Sequence, residues 1–348
     1  MNSTQDTTEL DVFLRLGTGR LPAAVFIIMA IVFGLPGNSI SLYIFLFRME
    51  KKSTYIIFVS FLAMFDVLTC AVHMPLELID LMFPLYFSEW LCKFFRFNNG
   101  VLFMGSLMTL LVIAVVRYRH VVHPLKEKMS QTTAKRCCWA ILVWSNISSI
   151  PTWFFNGNHT ITNGNSTVTI CYIADEVQTT IFPTICFGFY GMLYCMSVII
   201  LSLAYMLIGK TIRKTNKKRN QMKQQPMKSA IKEKSRQKIW HTYRASKYRV
   251  TEERVTGVGN TSKFNNRKTK VLFLITFIFI VAYLPFVSLG VVLTLRKKFR
   301  ENLSDAEEAL YRIAMRFPLI NNVANPVVYG FYDQAFKRHL TVLFHRSH

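Results

Sequence analysis

The feature that most constrains this chain is the gathering of its apolar residues into seven long runs. They lie near Leu21–Phe47, Tyr55–Leu81, Trp90–Val121, Ala134–Phe155, Thr179–Ile208, Val271–Leu295 and Ala309–Phe331. A run of about 20 residues, rising about 1.5 Å each, crosses a bilayer core of roughly 30 Å. A soluble chain of 348 residues would spread its apolar positions at amphipathic spacing around one or two cores. The pattern instead predicts an all-α membrane protein, a bundle of seven transmembrane helices. Asn98 and Asn99 interrupt the third run, and Asn321, Asn322 and Asn325 the seventh. Lipid would reject such faces, so they turn inward.

Charge sets the expected orientation. The net charge of +23 is unevenly placed. The first connection carries Arg48, Lys51 and Lys52, and the third carries Arg119, Lys126, Lys128, Lys135 and Arg136. The stretch from Lys210 to Lys270 holds 20 Lys/Arg and 3 acids, a net +17. All lie on one side, which the positive-inside rule makes cytoplasmic. The basic balance therefore implies topology and anionic lipid as a partner, and not nucleic acid. Arg296, Lys297, Lys298 and Arg300 fall on the other side, beside Glu301, Asp305, Glu307 and Glu308. Glycosylation sequons at Asn2, Asn158, Asn165 and Asn302 fall on the side assigned as extracellular, in agreement with the charge rule. Sequons at Asn146, inside the fourth run, and Asn260, in the basic loop, would be out of reach.

These signals divide the chain into an extracellular N-terminus (1–20), a seven-helix domain (21–331) and a cytoplasmic end (332–348). The domain includes a long basic loop (209–266), expected to be disordered away from helical extensions at its two ends. The polar N-terminus has no basic leader or cleavage site, so the first run is expected to act as its own insertion signal. Seven cysteines, several within apolar runs (Cys70, Cys186, Cys195), do not read as a disulfide framework. The histidines, among them His73, His120, His123 and His159, form no ligand-spaced pair, and no enzyme site is apparent.

A set of short motifs now becomes informative. Gly37-Asn38 lies in the first run, and Leu62 with Asp66 in the second. Trp90-Leu-Cys92 opens the third, which closes with Arg117-Tyr118 and Pro124-Leu125. Trp144 marks the fourth run and Tyr205 the fifth. Phe279 and Leu284-Pro285 mark the sixth, and Asn325-Pro326-Val-Val-Tyr329 the seventh, followed by Phe336 in a short amphipathic segment. Each is common alone. Together, in order and on the correct helices, they resemble the rhodopsin-like (class A) G-protein-coupled receptors, and the resemblance covers all seven runs.

The resemblance implies a seven-helix receptor with a short amphipathic eighth helix, in the plasma membrane, with no enzymatic activity. Cys92 and Cys171 are the only cysteines expected at extracellular helix ends or loops, where oxidising conditions favour a disulfide over two free thiols. Asp66 is costly in an apolar run unless protonated or paired. The family uses this position for an allosteric sodium ion, and Ser106, Asn321 and Asn325 would complete the oxygen ligands that a hard cation requires. A hydrogen-bonded network without an ion is the alternative; no other cofactor is implied. Pro285 and Pro326 each remove a helical hydrogen bond and favour a kink. In the family such kinks let the sixth helix swing outward, with Tyr205 and Tyr329 approaching the arginine to open a cavity for a heterotrimeric G protein. Arg117, Tyr118, Tyr205, Phe279, Tyr283, Pro285, Asn325, Pro326 and Tyr329 would form this switch.

The sequence also departs from the family pattern. Val116 stands where an acid usually precedes the arginine, and Asn265-Asn266-Arg267-Lys268 offers no second acid. Either the resting state is weakly held, or Asn265 or backbone carbonyls supply neutral partners. Tyr283 replaces a common tryptophan, and Ser197 a usual proline.

The pocket excludes some ligands. Asn99 occupies the place of the aspartate that pairs with amines, and Leu319 that of the retinal-binding lysine. Glu77, Asp80, Arg96, Arg312 and Arg316 keep charge in the extracellular halves, where ionisable groups are functional candidates. Glu77 and Arg316 either pair with each other or hold a ligand charge. Glu77, Arg96, Asn99, Tyr283 and Arg316 form the candidate pocket, under a loop in which Ser166–Tyr172 alternates like a hairpin strand. A neuropeptide or peptide hormone is the leading ligand, and a small-molecule chemosensory ligand the next. A scavenger receptor that does not signal is the alternative that Val116 suggests, and a transporter is more distant. Arrestin would act through hydroxyls of the basic loop (Ser229, Ser235, Thr242, Ser246, Thr251).

Overall fold

The computed structural model describes residues 19–49, 53–83, 88–163, 166–234, 269–292 and 303–345. The sequons at Asn2, Asn165 and Asn302, the candidate partner Asn265, and the loop hydroxyls Ser235, Thr242, Ser246 and Thr251 lie outside these residues.

Each of the seven expected spans contains helix among the described residues. They are α1 (Leu21–Arg48), α2 (Thr54–Met82), α3 (Glu89–Val122), α4 (Gln131–Phe155), α5 (Phe182–Lys234) and α6 (Thr269–Val292), followed by α7. The seventh is in two pieces, Asp305–Arg316 and Leu319–Tyr332, and α8 follows at Gln334–His345. Five of these helices are long and apolar enough to cross a membrane by themselves. The other two have local reasons to fall short. α4 carries Ser145, Asn146, Ser148 and Ser149, and α7 is divided at Phe317–Pro318, where shorter i→i+3 bonds replace the helical ladder. α5 runs well beyond the expected boundary at Ile208, deep into the basic segment.

Helix starts follow local chemistry. Pro22 occupies the first turn of α1, where its missing N–H costs nothing. Ser88 and Ser130 accept hydrogen bonds from Leu91 and Thr133 to cap α3 and α4. Ser304 and Glu307 form a capping box at the start of α7. π-helical turns at Ile44–Arg48 and Thr69–His73 add a residue to α1 and α2, the second just after Asp66.

The main core lies toward the end of the bundle that carries Arg117, with Phe45, Leu62, Leu110, Ile113, Leu272, Ile275, Phe279 and Tyr329 buried together. A smaller core at the opposite end packs Ala23, Ile27, Cys70, Met74 and Leu319. Close approach needs glycine at Gly105, where a Cβ would run into the Phe65 ring. Outward faces are apolar: Phe33, Trp139, Phe154, Ile199 and Phe331 are all exposed. An apolar surface on this scale belongs in lipid, so the chain is a multi-pass membrane protein.

Between α4 and α5 the chain forms an antiparallel hairpin, β1 (Asn156–Asn163) with β2 (Ser166–Ile173), in the register Asn158↔Cys171 and Thr160↔Thr169. The alternation of Ser166–Tyr172 is thus a true strand, and Asn158 is exposed on its partner.

Candidate functional site

The site begins at the hairpin end. Cys92, near the start of α3, is bonded to Cys171 on β2 with a Cα–Cα separation of 5.4 Å. This link fixes β2 above the bundle, and Phe95 packs beside the buried disulfide. Asp175 accepts the Thr160 backbone N–H at 3.0 Å and contacts His159 at 2.7 Å. Hydrogen bonds from Thr160 hold the Asp175 carboxyl below the usual carboxylate range, with a further contribution from His159.

Below the hairpin sits a cluster of charges from three helices. Arg316 meets Glu77 at 2.7 Å, with both side chains nearly buried. The Arg316 guanidinium also donates to the Arg312 carbonyl at 3.0 Å. Glu77 lies 4.0 Å from His73, one turn earlier on α2, and His73 stacks on Phe95 with a centroid distance of 5.1 Å. Arg96 donates to Asp80 at 3.3 Å and to the Cys171 carbonyl at 3.2 Å. Two pairs, Glu77–Arg316 and Asp80–Arg96, therefore neutralise four charges that would be costly in an apolar bundle singly. Glu77 and Arg316 are paired in the structure, Asp80 is paired with Arg96, and His73 joins the cluster from the same face of α2.

Arg96, Asn99 and Phe103 recur at helical spacing and share one face of α3. Phe103 packs on Tyr283 at 4.8 Å, and Tyr283 on Phe279 at 4.6 Å. These rings form an aromatic floor between the charged cluster and the lower core. Tyr283, in the place of a bulkier indole, is thus a packed member of this floor.

Beneath the floor, Asp66 is fully buried and accepts from Asn322 at 2.8 Å and from Asn325 at 2.7 Å. Asn322 was not among the residues anticipated. It stands next to Asn321 in sequence, and helical phase brings its amide, not that of Asn321, onto the carboxylate. Its carbonyl accepts from Asn38 at 2.7 Å, tying α1 into the same network. The Ser106 hydroxyl, the whole Asn321 amide and the Asn325 amide oxygen are buried with no hydrogen-bond partner among the described residues. A carboxylate with such neutral oxygens fits the donor set of a hard monovalent cation.

The last layer surrounds Arg117, which is buried at 5% exposure. Its guanidinium donates to the Thr269 hydroxyl of α6 at 2.5 Å. Val116 packs in the core beside it. Tyr205 on α5 accepts from Thr276 at 3.2 Å, so its hydroxyl is engaged with α6. Tyr329 is fully buried against Phe45 (5.0 Å) and Phe336 (5.8 Å), joining α7 to α1 and α8. Tyr55 donates to Asp333 at 3.1 Å, and Asp333 caps α8 by accepting from Ala335 and Phe336. Tyr118 is half-buried and touches His123. Pro285 and Pro326 both sit inside continuous helices, and a Cβ on Gly37 would lie 3.1 Å from the Pro326 ring.

Comparison with known proteins identifies the family. A family model described as 7 transmembrane receptor (rhodopsin family) matches residues 37–329. The neuromedin-U receptor 1 of Rattus norvegicus is 23% identical over 332 residues, covering 91% of this chain and 72% of that receptor. The type-1 angiotensin II receptor of Bos taurus is 23% identical over 323 residues, covering 90% and 77%. The neuropeptide FF receptor 2 of Mus musculus is 23% identical, covering 90% and 71%. The match extends from the Gly37-Asn38 pair of α1 to Tyr329 at the base of α7, and the chain belongs to the rhodopsin family of seven-transmembrane receptors.

Proposed function

We propose that this chain is a plasma-membrane receptor for an extracellular peptide, and that it activates a heterotrimeric G protein by outward movement of α6. The observation that carries this reading is the Arg117–Thr269 hydrogen bond at 2.5 Å. It ties α3 to α6 next to Tyr205, a buried tyrosine available to arginine once α6 leaves. Breaking it would expose a cationic cavity floor.

Peptide is favoured over a small ligand by four features. The relatives' names refer to peptides (angiotensin II, neuropeptide FF, neuromedin-U). The hairpin is pinned to one wall by Cys92–Cys171, and Asn99 removes the anion an amine would need. The charged cluster below is balanced, as suits a ligand of mixed polarity. In this reading the hairpin and Asn158 face outside, and the basic loops face the cytoplasm. α8, with Lys337, Arg338 and His339, lies along anionic lipid. Arrestin would engage the phosphorylated basic loop. Sodium, held by Asp66 with Ser106, Asn321 and Asn325, would supply a positive charge that neutralises the buried carboxylate.

Val116 keeps a second reading in view, a receptor that takes up ligand without signalling. The test is a peptide library applied to cells that express the receptor with a promiscuous G protein. Peptide-dependent nucleotide exchange supports the proposal; peptide uptake with no exchange on any G protein supports the scavenger.

A further inference from the structure

We propose that a lipid-facing groove between α5 and α6 is a binding site for one anionic phospholipid of the cytoplasmic leaflet. An acyl chain of the lipid lies in the groove, and its phosphate is met by Arg213 and Lys270. The proposal rests on the orientation given above, with the basic end in the cytoplasm, and not on G-protein activation.

The groove holds about 310 Å³, at the lower end of the roughly 300–1,000 Å³ usual for small-ligand sites. Ser202 and Met206 form its rim on α5, and Phe273 and Phe277 its rim on α6. All four are exposed. Its floor is polar at one point, where Thr276 donates to the buried Tyr205 hydroxyl at 3.2 Å. The outward faces of both helices are apolar, so the groove opens into hydrocarbon and not into water. Acyl chain is the material that lies at this depth.

Helical spacing carries both walls toward a pair of cations. Ser202, Met206 and Arg213 recur at intervals of four and seven residues, so they share one face of α5. Lys270, Phe273 and Phe277 recur at three and four, and share one face of α6. Arg213 and Lys270 are both exposed. The path between rim and cation is open on α5: a Cβ on Gly209 would meet nothing within 4 Å. From Met206 to Arg213 is about 10 Å of helix, enough to pass from hydrocarbon into a headgroup layer of roughly 5–7 Å.

The charge at this mouth is not offset within its own helices. The sequence has no Asp or Glu from 177 to 232, or from 254 to 300. A neutral lipid would fill the groove as well, but only an anionic one answers both cations. Each Lys or Arg beside the membrane favours anionic lipid by a factor of about five.

The experiment places the full-length receptor in phosphatidylcholine nanodiscs that hold a minor fraction of probe lipid. The probe is phosphatidylserine with a diazirine in one acyl chain, or phosphatidylcholine with the same chain. Illumination cross-links the chain, and peptide mapping locates the adducts. The proposal predicts adducts on Ser202, Met206, Phe273 and Phe277, enriched with phosphatidylserine over phosphatidylcholine. Arg213→Gln and Lys270→Gln should each cut that enrichment about fivefold. Gly209→Leu, which fills the path and leaves both cations, should remove it. Lys214→Gln should leave it unchanged, because Lys214 is turned about 100° from Arg213 around the helix, away from the groove.

An equal loss in Lys214→Gln would show diffuse attraction to a basic helix and overturn the site. Equal labelling by the two probes would show filling without headgroup recognition, and overturn it also. Protection of the rim from both probes would place a second copy of the chain in the groove, with the same result. No G protein takes part in the labelling. Absence of any peptide response, with the enrichment intact, therefore removes the receptor reading and leaves the lipid site standing.

Discussion

Arg117 donates to the hydroxyl of Thr269, so the arginine of α3 is restrained across the bundle by a neutral side chain of α6. The missing acid at Val116 therefore does not leave α6 untethered. A hydrogen bond to a charged donor contributes about 1.5–3 kcal/mol, enough to bias a two-state equilibrium roughly tenfold or more. Thr269→Val keeps the shape and removes the acceptor. We expect ligand-free nucleotide exchange to rise about tenfold at equal surface density. Thr269→Glu, which supplies a charged acceptor, should lower it below the natural level. Unchanged exchange in both variants would mean that other contacts of Arg117 hold the resting state.

The Asp66 network makes a second prediction, which separates the neighbouring asparagines. In the proposed sodium site Asn321 offers an unpartnered amide, whereas Asn322 already donates to Asp66. Sodium should reduce agonist affinity in the natural receptor, and Asp66→Asn should abolish that response. Asn321→Ala should also abolish it without loss of thermal stability. Asn322→Ala should instead lower stability by about 1 kcal/mol, the contribution of one buried hydrogen bond. The readout is agonist binding titrated with sodium against potassium, together with a melting curve of purified receptor. Sodium sensitivity retained in Asp66→Asn would leave the network without an ion.

The Glu77–Arg316 pair makes a third. Removing one partner of a buried ion pair costs about 3–5 kcal/mol, because the other charge is left behind. Glu77→Gln and Arg316→Gln should each reduce surface receptor severely. The exchanged double variant, Glu77→Arg with Arg316→Glu, should recover much of it. Recovery of surface receptor without recovery of peptide response would assign the pair a ligand contact as well as a structural one. Normal surface levels in both single variants would remove the pair from the fold's requirements.

The sequence and the structure part company where helical phase decides the answer. Seven spans were legible because hydrophobic length is a local property, and β2 was legible because alternation is one too. Cys92 and Cys171 could be paired by compartment, since the other cysteines sit in apolar runs. Asn321 and Asn322 could not be separated in the same way. Neighbours on a helix point about 100° apart, and the break at Phe317–Pro318 sets the rotation of all that follows. Thr269 carried no signal, because a threonine at the end of a span is ordinary; the expected partners were Asn265, which lies outside the described residues, or backbone carbonyls. Glu77 and Arg316, far apart in the chain, were recognisable only as candidates until their helices were placed side by side.

A fourth prediction concerns the loop between α3 and α4. Leu125 is fully exposed, at 100%, on a connection otherwise rich in His, Lys and Glu. It follows Pro124, which removes a backbone N–H and stiffens the turn beyond His123. A rigid, exposed leucine on the same end as Arg117 is a poor contact for water and a good anchor for a partner's apolar pocket. In the receptor reading that partner is the G protein. Leu125→Asp should therefore reduce peptide-stimulated nucleotide exchange at least tenfold, since a desolvated anchor commonly contributes about 2 kcal/mol or more. Peptide affinity measured without G protein should stay unchanged, because the loop lies at the far end of the bundle from the hairpin. Thermal stability should also be unaffected, as no packed neighbour is lost. Exchange that survives Leu125→Asp would remove this loop from the coupling surface and leave the floor around Arg117 as the main contact.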